Sequence, residues 1–191
     1  MKMGILLLAL SAAQPGVLVD RIVAVVDRQV ITHSELLTEA RVALALRQSG
    51  KAASADLNHD FLGGFREYLI NAILVSQQAR RLASVEISDA ELQQKARQFE
   101  SAFRSQRAYR AFLRRFDISE EVVANILRRT LRNQRFVAER MRLRVLQSGK
   151  GAQMGDERYQ KALKGWLDEL RANADIRLPG PAGRLERQAT P

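Results

Sequence analysis

Residues 21–36 read RIVAVVDRQVITHSEL, and the fold turns on how they are understood. Arg21–Val26 and Val30–Thr32 are rich in β-branched residues and too short for independent helices, so both read as strands on either side of Asp27-Arg28-Gln29. Thr32-His33-Ser34-Glu35 then matches a capping box, in which Thr32 meets backbone donors and Glu35 reaches back to the cap. An isolated hairpin is marginal in water. Most of the chain beyond Glu35 reads as helix, so this hairpin needs a partner from elsewhere in the sequence.

Helical periodicity dominates the rest. A first helix runs from about Ser34 to Gln48, closed by Ser49-Gly50-Lys51 and succeeded by a polar loop, Ala52–Asn58. The second, about His59–Ala83, carries Phe61, Phe65, Tyr68, Leu69, Ile73 and Leu82 at three- and four-residue steps. Gly63-Gly64 inside it predicts a close helix crossing or a break. Ser88-Asp89-Ala90-Glu91 is a second capping box, opening a third helix to about Ser105; a fourth covers about Arg107–Arg115. Asp117-Ile118-Ser119-Glu120 opens a long helix, about Glu120–Gln147, whose many arginines predict a solvated basic face. Gln147–Gly155 is a Gly-rich connector. Asp156–Asn173 forms a last helix with Tyr159, Leu163, Trp166, Leu167 and Leu170 on one face. Ala174–Leu178 (ADIRL) alternates as a short strand, and residues 179–191, which begin Pro179-Gly180-Pro181, read as a disordered tail. The fold class expected is mainly α, a multi-helix core with a small sheet. ADIRL supplies the strand that the N-terminal hairpin lacks.

The chain has 191 residues, 46% of them hydrophobic and 27% charged, which is the composition of one globular domain and not of a disordered chain. Without cysteine, thiol catalysis, disulfides, zinc–thiolate sites and lipidation at a lipobox cysteine are excluded. The formal net charge of +10 admits an anionic partner or acidic clients. The arginines are spread among Glu, Gln and Ala on several helices, so no nucleic-acid partner is expected. The alternative, a basic helical binder of nucleic acid or anionic surfaces, would use Arg104–Arg115 and Arg128–Arg144.

Residues 1–13 (MKMGILLLALSAA) read as a signal peptide: Lys2 is the positive n-region, Ile5–Leu10 the apolar core, and Ser11-Ala12-Ala13 the small residues before cleavage. The apolar run is far shorter than the roughly 20 residues a membrane-spanning helix needs. No integral membrane segment is expected in the mature chain, and a periplasmic location is.

Catalytic motifs are weak. The two histidines, His33 and His59, both sit at helix entries, where caps account for them. Asn58-His59-Asp60 lacks a further cluster that would make it a metal or acid–base site. Gly149-Lys150-Gly151 lacks phosphate-loop spacing, and Glu120-Glu121 suits a helix N-terminus. No enzyme, no cofactor and no metal are expected.

The ordered set is more specific than its parts. VDRIVAVVDRQVITHSEL near the N-terminus, SVEISDAELQQ, DISEE before a long helix, and KGWLDELRANADIRL together resemble the SurA-type periplasmic chaperone family, over residues 17–178. Most diagnostic are the opening strand–turn–strand–helix and the spacing of Trp166, Leu167, Leu170, Arg171, Ala174 and Ile176. The resemblance implies one chaperone domain in which an N-terminal part, 17–147, folds with a C-terminal helix and strand, 156–178, across a connector, 148–155. In that family, parvulin-type prolyl isomerase domains are inserted at this connector. Such a domain needs on the order of a hundred residues, and Gln147–Gly155 offers nine. The alternative of a peptidyl-prolyl isomerase foldase is therefore disfavoured.

The function expected is ATP-independent binding of unfolded polypeptides, with outer-membrane-protein precursors as the partners the resemblance implies. A homodimer is left open. Holding clients requires exposed apolar surface with charged rims. The candidate polypeptide-binding residues are Phe61, Phe65, Tyr68, Phe99, Phe103, Tyr109, Phe112, Phe116 and Met141.

Overall fold

The computed structural model describes residues 20–47, 49–82, 85–147, 156–181 and 183–188. The expected signal peptide and the connector 148–155 lie outside them. Elements come in the order β1 (Ile22–Val26), β2 (Gln29–Thr32), α1 (His33–Arg47), α2 (Gly50–Ala53), α3 (His59–Arg81), α4 (Asp89–Ser101), α5 (Gln106–Arg115), α6 (Glu120–Gln147), α7 (Asp156–Ala172), β3 (Ile176–Pro179) and β4 (Leu185–Arg187). The fold is mainly helical with one small antiparallel sheet, strand order β2-β1-β3-β4.

The hairpin finds its partner in ADIRL. Val25 and Val26 of β1 pair with Arg177 and Ile176 of β3. At the turn, Asp27 takes a left-handed backbone (φ 54°), a conformation Asp tolerates better than most residues. There it closes a reciprocal bridge. Asp27 N–H donates to the Asp175 carbonyl at 2.8 Å, and Asp175 N–H donates to Asp27 Oδ1 at 2.9 Å.

A bulge lies between Ile22 and Ala24, which pair with Thr32 and Ile31. The extra residue turns both Val23 and Ala24 into the core and breaks the alternation expected of a half-buried strand.

The sheet has a fourth strand where the sequence suggested a disordered tail. Pro179-Gly180-Pro181 turns the chain rather than releasing it: Gly180 N–H donates to Arg184 O at 2.8 Å, and Gly183 takes φ +72°. β4 then pairs Arg187 with Arg177, and Asp175 carboxylate oxygens sit 2.5 Å and 3.6 Å from those guanidiniums, offsetting the like-charge pair. Every β4 residue is exposed, so no apolar pattern announces the strand.

Three apolar clusters fill the helical body. The sheet packs Val26, Ile31 and Ile176 onto Leu36 and Ala40 of α1 and Leu69, Ile70 and Ile73 of α3. A second cluster joins α1 to α4, α5 and the start of α6 around Phe99, Tyr109, Phe112 and Leu127. The third joins α3, α6 and α7 around Val75, Phe136, Met141 and Trp166.

Local boundaries obey capping chemistry. Ser88 and Glu91 make the complete capping box, and with Arg135 beside it the Glu91 carboxyl is lowered to about 2, chiefly by hydrogen bonds from Ser88. Ser119 Oγ accepts from Val122 N–H at 3.1 Å and opens α6. The helix expected to reach Ser105 stops at Ser101, because Ser105 caps α5 by accepting from Ala108 N–H at 3.2 Å. The expected loop at Ala52 begins with one short helix, α2. Its Gly50 lies so close to the Phe103 ring that an added Cβ would fall 2.4 Å from Phe103 Cδ1.

Gly63 and Gly64 mark neither a crossing nor a break: α3 runs through them, and a Cβ on either meets nothing within 4 Å. Gly63→Ala and Gly64→Ala should therefore each raise stability by roughly 0.5–1 kcal/mol in denaturant titrations. At the turn, Asp27→Ala should lose about 1–2 kcal/mol, through φ strain and the lost bridge to Asp175. Asp27→Gly, free of the strain, should lose less.

Candidate functional site

Four helices leave a groove between them. α1 contributes Val42, Ala43 and Leu46; α3 contributes Phe65, Tyr68, Leu69, Ala72 and Val75; α6 contributes Ile126 and Val137; α7 contributes Tyr159, Leu163 and Leu167. The volume is about 490 Å³, the size of a pocket for several side chains. Along α3, Phe61, Phe65 and Tyr68 form a ladder one helical step apart, with ring centroids 6.0 Å and 5.3 Å apart, and the last two reach the lip. Phe61 and Tyr68 are exposed, 36% and 43%. The Arg47 guanidinium lies 5.3 Å from the Tyr68 ring centroid, and Lys95 stands on the α4 side, so the rim is positive. Asn133 is fixed by donating from Nδ2 to Ala72 O at 2.7 Å, while its buried Oδ1 has no partner among the described residues.

One end of the groove is a buried ion pair. Arg129 on α6 and Glu39 on α1 meet at 2.6 Å, with side chains 17% and 7% exposed. Behind them opens a second cleft of about 600 Å³, walled by α1, the end of α3 and the first half of α6. Ser34, Glu35 and Thr38 line it from α1, Arg80 from α3, and Asn125, Arg128, Arg129 and Arg132 from α6. Glu39, Ile126 and Arg129 line both spaces and form the wall between them. The Glu35 carboxyl in the cleft is pushed up, first by burial and then by the charge of Glu39.

The nine candidate residues separate cleanly. Phe65 and Tyr68 line the groove, and Phe61 is exposed beside Phe65. Phe99, Tyr109 and Phe112 are buried in the second cluster, with Phe103 and Phe116 half-buried against it. Their rings pack at centroid distances of 4.9–6.4 Å, the spacing of an aromatic core. Phe116 is also covered by Arg41, whose guanidinium carbon is 3.6 Å from the ring centroid. Met141 is 1% exposed, beside Phe136 and Trp166. Four of these six are buried and two half-buried; the aromatic five pack among α1, α4, α5 and α6, and Met141 is covered by α3 and α7.

The groove's other wall comes from α1 and α7. The apolar spacing of Tyr159, Leu163 and Leu167 is visible in the sequence, but which part of that face stays open depends on Trp166 docking onto Phe136, centroids 6.0 Å apart. The spacing motif ending in Ile176 is architectural. Arg171 donates to Asn71, Glu67 and Gln188 at 2.8–2.9 Å, fastening α7 to α3 and to the residue after β4.

The basic face of α6 is only partly a solvated one. Arg129 is committed to Glu39, Arg135 to Glu91 and Glu86 O, and Arg144 to Glu169. His59 is exposed behind the Asn58 cap, whose Oδ1 accepts from Phe61 N–H at 2.8 Å. Among the described residues no group of three His, Asp or Glu side chains is placed to hold a metal, and no helix is long and apolar enough to cross a membrane. Comparison of the sequence with protein-family models and with curated proteins found no match.

The wall between groove and cleft is sensitive to substitution. Arg129→Met should cost about 3–5 kcal/mol by leaving the Glu39 carboxylate buried without its partner. The double change Glu39→Leu with Arg129→Met should cost clearly less, a non-additivity that a double-mutant cycle in denaturant reads directly.

Proposed function

We propose that the protein is an ATP-independent chaperone that holds unfolded polypeptides in the groove between α1, α3, α6 and α7. The observation that carries this reading is the groove itself: an apolar floor about 490 Å³ in volume, an aromatic lip on α3 and a positive rim. A side chain of a client can enter an open space of that kind without an induced rearrangement, and adaptable apolar contacts suit many sequences rather than one. The order of elements supports the same reading. An N-terminal hairpin, a helical body and a returning helix and strand match the layout of the SurA-type chaperones that the sequence resembles, and the short connector between α6 and α7 leaves no room for an isomerase domain. On this proposal the leader directs export to the periplasm, and outer-membrane-protein precursors are the clients.

The protein should suppress aggregation of a chemically denatured client, monitored by light scattering, at near-stoichiometric ratios and without nucleotide. Tyr68→Ser combined with Leu163→Asp should weaken suppression several-fold while leaving the far-ultraviolet circular dichroism unchanged. Absence of suppression across a wide range of ratios by the wild-type protein would refute the reading. A protease-coupled proline-peptide assay should give the uncatalysed rate.

A further inference from the structure

The cleft behind the Glu39–Arg129 pair holds more cationic charge than its own carboxylates balance. Arg128 and Arg132 lie one turn apart on α6, a like-charged spacing that is unfavourable unless an anion joins it. Arg80 faces them from the end of α3. Among the described residues none of these three meets a carboxylate within ion-pair distance, and Arg128 makes only a 3.3 Å hydrogen bond to Asn125. Arg128 and Arg132 are half-buried, so water screens them less than it screens an open surface charge. Arginine is also the side chain whose planar fork matches a carboxylate in two parallel hydrogen bonds. Thr38 adds a hydroxyl donor on the facing helix, while the Ser34 hydroxyl is engaged by Asp20.

We infer that this cleft is a carboxylate-binding subsite, which takes an acidic side chain of the same polypeptide whose apolar residues lie in the adjoining groove. The inference rests on the chaperone reading of the groove and deepens it, by making the preferred client segment apolar with acidic residues at one end. The geometry behind it is the shared wall. Groove and cleft touch the same three side chains, Glu39, Ile126 and Arg129, so the two spaces adjoin across a single layer of side chains. The resident Glu35 opposes an incoming anion when ionised, and the upward displacement of its carboxyl lessens that opposition. The protein's formal charge of +10 favours acidic segments from a distance. The cleft makes the preference local.

Fluorescence anisotropy on the full protein separates the local preference from the global one. One labelled peptide carries paired aspartates after a run of alternating leucine and phenylalanine; its twin carries asparagines instead. The aspartate peptide should bind about tenfold tighter than its twin, the scale of one well-formed charged hydrogen-bond pair. Arg128→Gln with Arg132→Gln should bring the ratio near one while leaving affinity for the asparagine twin unchanged. Arg80→Gln, on an exposed side chain, should lower the ratio less. Arg107→Gln with Arg110→Gln removes the same charge from exposed positions on α5 and should preserve the ratio.

Equal affinity of the wild-type protein for both peptides overturns the subsite and leaves the groove standing. Equal loss of discrimination in the α5 variant overturns it too, in favour of overall charge. A single-stranded oligonucleotide that displaces the aspartate peptide from the wild type, but does not bind the Arg128/Arg132 variant, would make the cleft a phosphate site instead. Binding of neither peptide removes the groove reading and this inference with it.

Discussion

The fold depends on a pairing between residues about 150 positions apart in the chain. β1 and β3 share two paired positions, and the Asp27–Asp175 bridge beside them exchanges two backbone-anchored hydrogen bonds. Closing so long a loop costs entropy that a few hydrogen bonds do not recover alone. The pairing persists because it brings apolar surface with it: Ile176 enters the first cluster, and α7, immediately before β3, sets Trp166 against Phe136. Arg171 then fastens α7 to α3 at two points and to Gln188 at a third. The groove is a consequence. Its α7 wall stands where it does because β3 is pinned to the hairpin and Trp166 to α6.

A second constraint shapes the site. Glu39 lies on an otherwise apolar stretch of α1, and a carboxylate 6% exposed is tolerated only with a close cationic partner. Arg129 supplies it from α6. The pair holds α1 to α6 between the two spaces, with the groove on one side and the arginine-lined cleft on the other. A hydrophobic pair of similar volume would serve packing as well. The ionic version adds polarity to the wall and so gives the two spaces different chemistry.

Much of the architecture was legible in the sequence. A capping box located the start of α4, the Asp117–Glu120 signature located α6 although Ser119 and not Asp117 is its cap, and turn residues bounded the hairpin, because caps and turns are local chemistry that distant contacts rarely override. The elements that escaped such reading did so for physical causes. β4 exposes every residue, so it carries no apolar period, and its pairing comes from the edge of β3 alone. α2 is capped locally by Ser49, and its Gly50 packs against Phe103, a contact between residues 53 positions apart. Gly63-Gly64 misled because a missing Cβ says that close approach is allowed, not that it occurs.

The candidate site was legible only in part. Aromatic residues at helical spacing look alike whether they fill a core or line a groove. Phe61, Phe65 and Tyr68 remain at the surface because α1 and α7 flank that face of α3 without covering it; Phe99, Tyr109 and Phe112 are enclosed because α4 and α5 fold upon each other. Sequence alone was enough for the helical class, the hairpin, the strand that would meet it and the stripe each helix buries, since these depend on periodicity and capping within a few turns of chain. Which apolar stripes stay partly open, and which arginines find carboxylates, emerged only from tertiary packing. Both depend on how far apart helices are held, and that distance is set by side chains remote in sequence.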